Sequence, residues 1–162
     1  MKRTSMVLVV VVVAGLCLYV PREGTARASS YVSGFRAAYL PVVATLHRIT
    51  PVCATATRVE QLPACGAAIA PFRVALARLL RFVTHTTPPA QIPKADVQTL
   101  AGSIRVLQQR FATSAALIKQ KNVARLRAMG GPGHAIDNAI DAFKGAVGNV
   151  VVDLPALRLP LP

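Results

Sequence analysis

The chain has 162 residues, 53% of them hydrophobic, and carries a formal net charge of +13. A length of this order is enough for one compact domain. Only six residues are acidic, so the composition leaves few carboxylates for acid–base catalysis and gives little support to an enzyme of that class.

The N-terminus has the three parts of a secretory signal peptide. A short cationic start is followed by an apolar run from Met6 to Val20, and Ala26 and Ala28 are the small residues that a signal peptidase recognises. We therefore expect residues 1–28 to be removed and the exported protein to begin at Ser29.

A retained anchor is the alternative to a cleaved leader. The apolar run covers 15 residues, whereas a membrane-spanning helix needs roughly 20. Lipidation of Cys17 is not expected, because a bacterial lipobox has a small residue before its cysteine and Leu16 stands there. No later apolar stretch is long and uninterrupted enough to span a bilayer, so we predict no transmembrane helix in the mature chain.

The excess of positive charge belongs to the exported domain. The leader contains four basic residues and one acidic residue, so its removal leaves a charge of +10. Such a charge attracts polyanions, but it does not indicate which polyanion is bound. The preference for Arg over Lys and the abundance of Ala, Val and Pro also fit a GC-rich bacterial genome, which is an alternative explanation of the basicity.

Cys53 and Cys65 are predicted to form a disulfide, because an isolated pair in an exported domain is usually oxidised. They are 12 positions apart, which along a straight helix corresponds to about 18 Å, whereas bridged Cα atoms lie about 4.4–6.8 Å apart. The chain must therefore reverse between them, and a turn is expected near Pro63 and Gly66.

The remaining apolar residues recur at spacings of three and four, which predicts helices. The first helix is expected from about Ser30 to Arg48, with Ser29 or Ser30 as its cap and Pro41 kinking or dividing it. Its predicted apolar face consists of Val32, Phe35, Tyr39, Val43 and Leu46.

A short helical piece and three further main helices are predicted. Thr50 and Pro51 are typical of the start of a short helical piece that ends near Gln61, inside the disulfide loop. The second main helix covers about residues 64–84, and an extended Pro-rich linker follows it. Its predicted apolar face consists of Ile69, Phe72, Leu76, Leu79, Leu80 and Val83.

The third helix begins near Lys94, and the glycines from Gly130 to Gly133 end whatever helix precedes them. The last helix covers about residues 134–152. The apolar faces are Val97, Leu100, Ile104, Leu107, Phe111 and Ile118 in the third helix and Ile136, Ile140, Phe143, Val147, Val150 and Leu154 in the last.

The apolar faces of these helices can be buried only against one another. The sequence therefore predicts an all-α fold, a small helical bundle of about four main helices over residues 29–152 with one disulfide-closed loop, and a poorly ordered tail at 153–162.

No arrangement of residues predicts catalysis, a metal or a cofactor. His134, Asp137 and Asp141 share one side of the last helix, but we interpret the two aspartates as partners of the helix N-terminus and of Lys144. His47 and His85 are the other histidines of the chain, and nothing in the sequence brings them together as haem ligands.

The basic residues are concentrated between Arg73 and Arg127, where ten Lys or Arg residues accompany one acid, Asp96. The apolar seam of the third helix ends after Ile118, and the segment from Lys119 to Met129 is basic and amphipathic. The residues expected to contact an anionic surface are Lys119, Lys121, Arg125 and Arg127. Nucleic acid is a weaker candidate, because no aromatic side chain lies in this segment to stack on bases.

The leading hypothesis is an exported, non-catalytic helical domain that binds an anionic lipid, an envelope polymer or a protein partner through its basic middle helices. The alternative is a carrier that holds a small apolar ligand between its helices. A further alternative is that the basic segment from Lys119 to Met129 is a solvated helix end with no binding role.

Overall fold

The computed structural model describes residues 23–54, 56, 58–130 and 134–154. These residues form five α-helices and no strand: α1 (Glu23–Ala54), α2 (Leu62–His85), α3 (Lys94–Lys119), α4 (Val123–Met129) and α5 (Ala135–Asp153), with a 3-10 turn at Val59–Gln61. The four long helices form a bundle in which α1 packs on α2, α2 on α3 and α3 on α5. The predicted all-α bundle is confirmed.

The predicted disulfide is present, and it closes the hairpin formed by α1 and α2. The Cα atoms of Cys53 and Cys65 are 4.9 Å apart. The chain reverses through Ala56 and the 3-10 turn, and α2 begins at Leu62. The predicted reversal is confirmed, but its expected position is wrong, because Pro63 and Gly66 lie inside α2, where proline is tolerated in the first turn. The bond is compatible with an oxidising compartment.

The core consists of the apolar faces of α1, α2, α3 and α5. In α3 the predicted residues Leu100, Ile104, Leu107 and Phe111 are all buried. The rings of Tyr39 and Phe143 lie 6.3 Å apart and connect α1 with α5 across the bundle. The members of the predicted faces that are only partly buried are Val32, Leu80, Val97, Ile118, Ile136 and Ile140.

The structure corrects the prediction for the first helix. In the full chain α1 begins at Glu23, within the predicted leader, so Ser29 and Ser30 lie inside the helix rather than at its cap. It also continues through Pro41 and Pro51, whereas the sequence predicted a new helical piece at Thr50. An internal proline costs about 3 kcal/mol. Here the cost is offset because the turns around both prolines bury apolar side chains against the bundle, including Leu46 and Ile49.

The ends of the chain lie largely outside the described residues. These include residues 1–22, which contain the predicted apolar run and Cys17. The last helix continues one residue beyond the predicted end, to Asp153, and Leu154 is buried against the bundle. The rest of the predicted tail, residues 155–162, is not described.

One helix of the described chain has the length and apolar composition of a membrane span, Val59–His85 with mean hydropathy 1.3. The sequence analysis predicted none in the mature chain. α2 contacts both α1 and α3, and its buried face has eight residues. Its apolar composition therefore has a physical reason inside the bundle, since a helix between two neighbours buries more of its surface.

The α1–α2 contact requires a glycine at position 34. A methyl group added there would lie 2.6 Å from Cε2 of Phe82, whose ring packs 5.2 Å from the ring of Tyr31. Gly102 in α3, by contrast, has no atom within 4 Å of such a methyl group.

We expect Gly34→Ala to destabilise the protein by about 1 kcal/mol. Alanine gains up to about 1 kcal/mol of helix propensity, but forcing Phe82 out of its packing costs about 1–3 kcal/mol. Gly102→Ala is the matched control and should stabilise the protein by up to about 1 kcal/mol. Urea unfolding measures both, and equal effects would contradict a close packing at Gly34.

Two carboxylates meet where the end of α5 lies beside the start of α3. The pKa of Asp153 is raised by burial, by a hydrogen bond with Asp96 and by the charge of Asp96. Asp153 Oδ2 is buried without a hydrogen-bond partner among the described residues. Asp153 also lies at the negative C-terminal end of its helix, whereas Asp96 lies in the favourable first turn of α3. Asp153 is therefore the group that takes up the proton.

A raised folded-state pKa means that Asp153 stabilises the fold below its unfolded pKa of about 3.9 and that this contribution is lost as pH rises through the higher folded value. We expect Asp153→Asn to raise the melting temperature at pH 7 and to have no such effect near pH 3. Asp141→Asn is the control, because that carboxylate is exposed and pairs with Lys144 at 3.6 Å. A lower melting temperature for Asp153→Asn at pH 7 would show that the carboxylates do not repel.

Candidate functional site

The candidate site is a cavity of about 330 Å³ at the disulfide end of the bundle. Every one of the five helices contributes to its wall. The apolar lining residues are Leu46, Ile49, Cys53, Ala56, Cys65, Ile69, Phe111, Leu126, Ile136 and Ile140.

The order of the helices explains why these residues meet. Consecutive long helices run in alternating directions, so the end of α1, the start of α2, the end of α3 and the start of α5 lie at one end of the bundle. α4 follows α3 and adds Leu126 and Arg127 to the wall. Ile136 and Ile140 belong to the predicted core face of α5, but they are only partly buried because the cavity lies beside them.

Four side chains place polar groups in the lining: Thr50, Ser114, Arg127 and Asp137. The hydroxyl of Ser114 is buried and donates to the carbonyl oxygen of Arg110 at 3.1 Å, and that of Thr50 donates to the carbonyl oxygen of Leu46 at 3.4 Å. Both hydroxyls therefore present oxygen lone pairs to the cavity. Among the described lining residues, Arg127 alone brings strong donors and a positive charge.

The turn between α3 and α4 has a defined geometry. The amide of Lys121 donates to the carbonyl oxygen of Ile118 at 3.0 Å, and the amide of Asn122 donates to that of Leu117 at 2.9 Å. These two bonds form a Schellman motif, in which the residue at the position of Lys121 is usually glycine. Lys121 has a φ of 54°, in the left-handed region.

α4 begins directly after this turn. The side chain of Asn122 caps it by accepting a hydrogen bond from the amide of Arg125 at 3.0 Å. The sequence predicted an amphipathic segment here, and the structure shows a separate seven-residue helix. Its apolar side chains Val123, Leu126 and Met129 are all partly buried, so its apolar side faces the protein.

The four residues predicted to bind an anionic surface are all exposed. Lys119 ends α3, Lys121 lies in the turn, and Arg125 and Arg127 lie on α4. Arg125 and Arg127 are two residues apart and so point to opposite sides of a helix. Arg127 lines the cavity, and this role was not predicted because it depends on how α4 packs.

The other histidine and carboxylate candidates are dispersed. The described residues contain no group of three potential metal ligands. His47 and His85 lie at opposite ends of the α1–α2 hairpin, and His134 precedes the first turn of α5. Asp141 pairs with Lys144, as predicted from the sequence.

The apolar and basic patterns of the sequence do not locate the cavity. The carrier hypothesis rests only on the abundance of small side chains and names no residue of a ligand site. The available signal was the disulfide, which marks the end of the bundle where the cavity lies.

Lys121 provides a test of the turn geometry. A non-glycine residue in the left-handed region costs about 1–2 kcal/mol, and glycine loses part of that advantage through its more flexible unfolded state. We expect Lys121→Gly to stabilise the protein by about 0.5–1 kcal/mol in urea unfolding. Lys121→Ala removes the same charge and keeps the strain, so an equal gain from both variants would contradict this explanation.

Comparison with protein-family models, with curated proteins and with solved structures gives no match to this chain.

Proposed function

We propose that this is an exported, non-catalytic binding protein that holds a small apolar molecule in the cavity at the disulfide end of its bundle. The observation that carries the proposal is the convergence of apolar side chains from all five helices on one space of about 330 Å³. Ligand sites are commonly concave, mostly apolar and about 300–1,000 Å³ in volume, so this space suits a small ligand.

The leader and the disulfide support the export part of the proposal. Residues 1–28 have the pattern of a signal peptide, and the Cys53–Cys65 bond is of a kind that persists in oxidising compartments. An extracytoplasmic carrier for apolar molecules is useful for a physical reason, because such molecules cross an aqueous compartment poorly when unbound.

Native mass spectrometry of the protein purified from its exported fraction tests both parts. We expect a mature chain that begins at Ser29 and a co-purified small mass. In parallel, the neutral dye N-phenyl-1-naphthylamine should bind the delipidated protein with a rise in fluorescence. A chain that retains Met1 contradicts export, and a protein that neither carries a small mass nor binds the dye contradicts the carrier proposal.

Ile140→Phe tests whether the dye binds in this cavity. The larger side chain enters the space and should weaken dye binding about tenfold or more, since 1.4 kcal/mol corresponds to a factor of ten. Ile136→Phe is a second filling variant. Val152→Phe is the matched control, because Val152 lies on the same helix and is 77% exposed. If both filling variants fold, as judged by circular dichroism, and bind the dye normally, the site lies elsewhere.

A second candidate function is contact with an anionic lipid surface, and one observation favours it. All ten basic residues between Arg73 and Arg127 are exposed, and they share this part of the chain with one acid. They lie on α2, α3 and α4 and in the turn between α3 and α4, which are consecutive elements of the bundle.

Vesicles of equal parts phosphatidylcholine and phosphatidylglycerol test this second function. Each basic residue near such a surface contributes about 1 kcal/mol, so Lys119→Gln, Lys121→Gly and Arg125→Gln together should weaken binding by about 100-fold at low salt. Arg127 is left unchanged because it lines the cavity. The control variant combines Arg36→Gln, Arg48→Gln and Lys144→Gln, which lowers the net charge by the same amount. Equal losses would indicate an effect of net charge alone, and salt-independent binding would contradict an electrostatic contact.

A further inference from the structure

We infer that the cavity selects small anionic amphiphiles, with the apolar chain inside and the anionic head group at Arg127. This inference rests on the proposed carrier function and names the class of ligand. The contacts of the lining residues, the size of the space and the charge around it each restrict the ligand.

The lining requires an apolar body with one polar end. Of the fifteen lining residues that the structure describes, ten have apolar side chains and one is glycine. The hydroxyl hydrogens of Ser114 and Thr50 are already donated to carbonyl oxygens of their own helices. A ligand with several donors and acceptors would leave most of them unpaired in this space, which is costly.

The volume limits the length of that body. A water molecule takes about 30 Å³ of liquid volume, and a methylene group is of similar size, so the space holds a chain of about eight to ten carbons.

The charged residues at the cavity determine whether an anionic or a cationic head group is favoured. The two charged lining residues are Arg127, which is exposed, and Asp137, which is only partly buried in the first turn of α5. Taken alone they would not choose between an anion and a cation. The basic residues at this end of the bundle do, because the exposed Lys119, Lys121 and Arg125 at the end of α3, in the turn and on α4 create a positive potential that attracts anions and repels organic cations. A carboxylate that reaches Arg127 also gains charge-assisted hydrogen bonds from the guanidinium.

Three probes of equal chain length test the inference by displacement of N-phenyl-1-naphthylamine: octanoate, 1-octanol and octyltrimethylammonium. We expect octanoate to bind about tenfold more tightly than octanol, as a charge-assisted hydrogen bond implies, and the cation to bind most weakly. Decanoate should bind more tightly than octanoate, because each buried methylene contributes about a fourfold gain.

Two variants locate the head group. Arg127→Gln should remove the preference for octanoate and leave octanol binding unchanged, whereas Asp137→Asn should strengthen octanoate binding. Arg125→Gln is the matched control, because it lowers the net charge equally from the same helix without touching the cavity. Equal effects of Arg125→Gln and Arg127→Gln would show that only the general field matters and would overturn the assignment of the head group to Arg127.

The outcomes separate this inference from the function on which it rests. Binding of octanol and octanoate with equal affinity overturns the anionic ligand and keeps the carrier. The absence of binding by all three probes and by the dye overturns the carrier itself.

Discussion

The disulfide between Cys53 and Cys65 is the constraint on which the other features of the fold depend. It connects the last turn of α1 to the first turn of α2 and removes loop-closure entropy from the unfolded chain, which stabilises a loop of this size by about 3 kcal/mol. With the hairpin closed at this end, α1 remains helical through Pro51, although the local sequence favours a break there. Both cysteines also form part of the cavity wall, so the bond that closes the hairpin shapes the candidate site.

A short helix, α4, forms part of the cavity wall at that end of the bundle. A seven-residue helix is not stable in isolation, so α4 depends on its cap at Asn122, on the preceding turn and on its contact with α3. None of its residues is fully buried. Few buried contacts mean a low free energy of local opening. We therefore expect α4 to be the part of the cavity wall that opens at the lowest cost in free energy.

α4 contributes basic residues both to the exposed surface and to the wall of the cavity. Arg125 and Arg127 belong to the same two turns of helix, yet one faces away from the cavity and the other lines it. The field of the exposed basic residues acts over about 10 Å at ordinary ionic strength, whereas a hydrogen bond to a head group requires contact. In the proposals made above, an anionic surface and an anionic ligand would therefore be recognised by different subsets of one basic region. In this view the two candidate functions are compatible, since a carrier that approaches an anionic membrane meets amphiphiles there.

Local sequence patterns predicted much of the architecture. Apolar spacing identified the four long helices and most of their buried residues, because a helix that buries one face must repeat apolar residues every three or four positions. Spacing between the cysteines required a chain reversal that the structure confirms. The same local rules failed at Pro41 and Pro51, where tertiary packing outweighs an intrinsic preference for breaking the helix, and at Ser29 and Ser30, which looked like caps and lie inside α1. No pattern could locate the cavity, since its wall combines residues as distant as Leu46 and Ile140. The sequence alone determined that the chain is basic, helical and able to form one disulfide, whereas only the packing of the five helices decided that Arg127 and a ring of apolar side chains would enclose a common space.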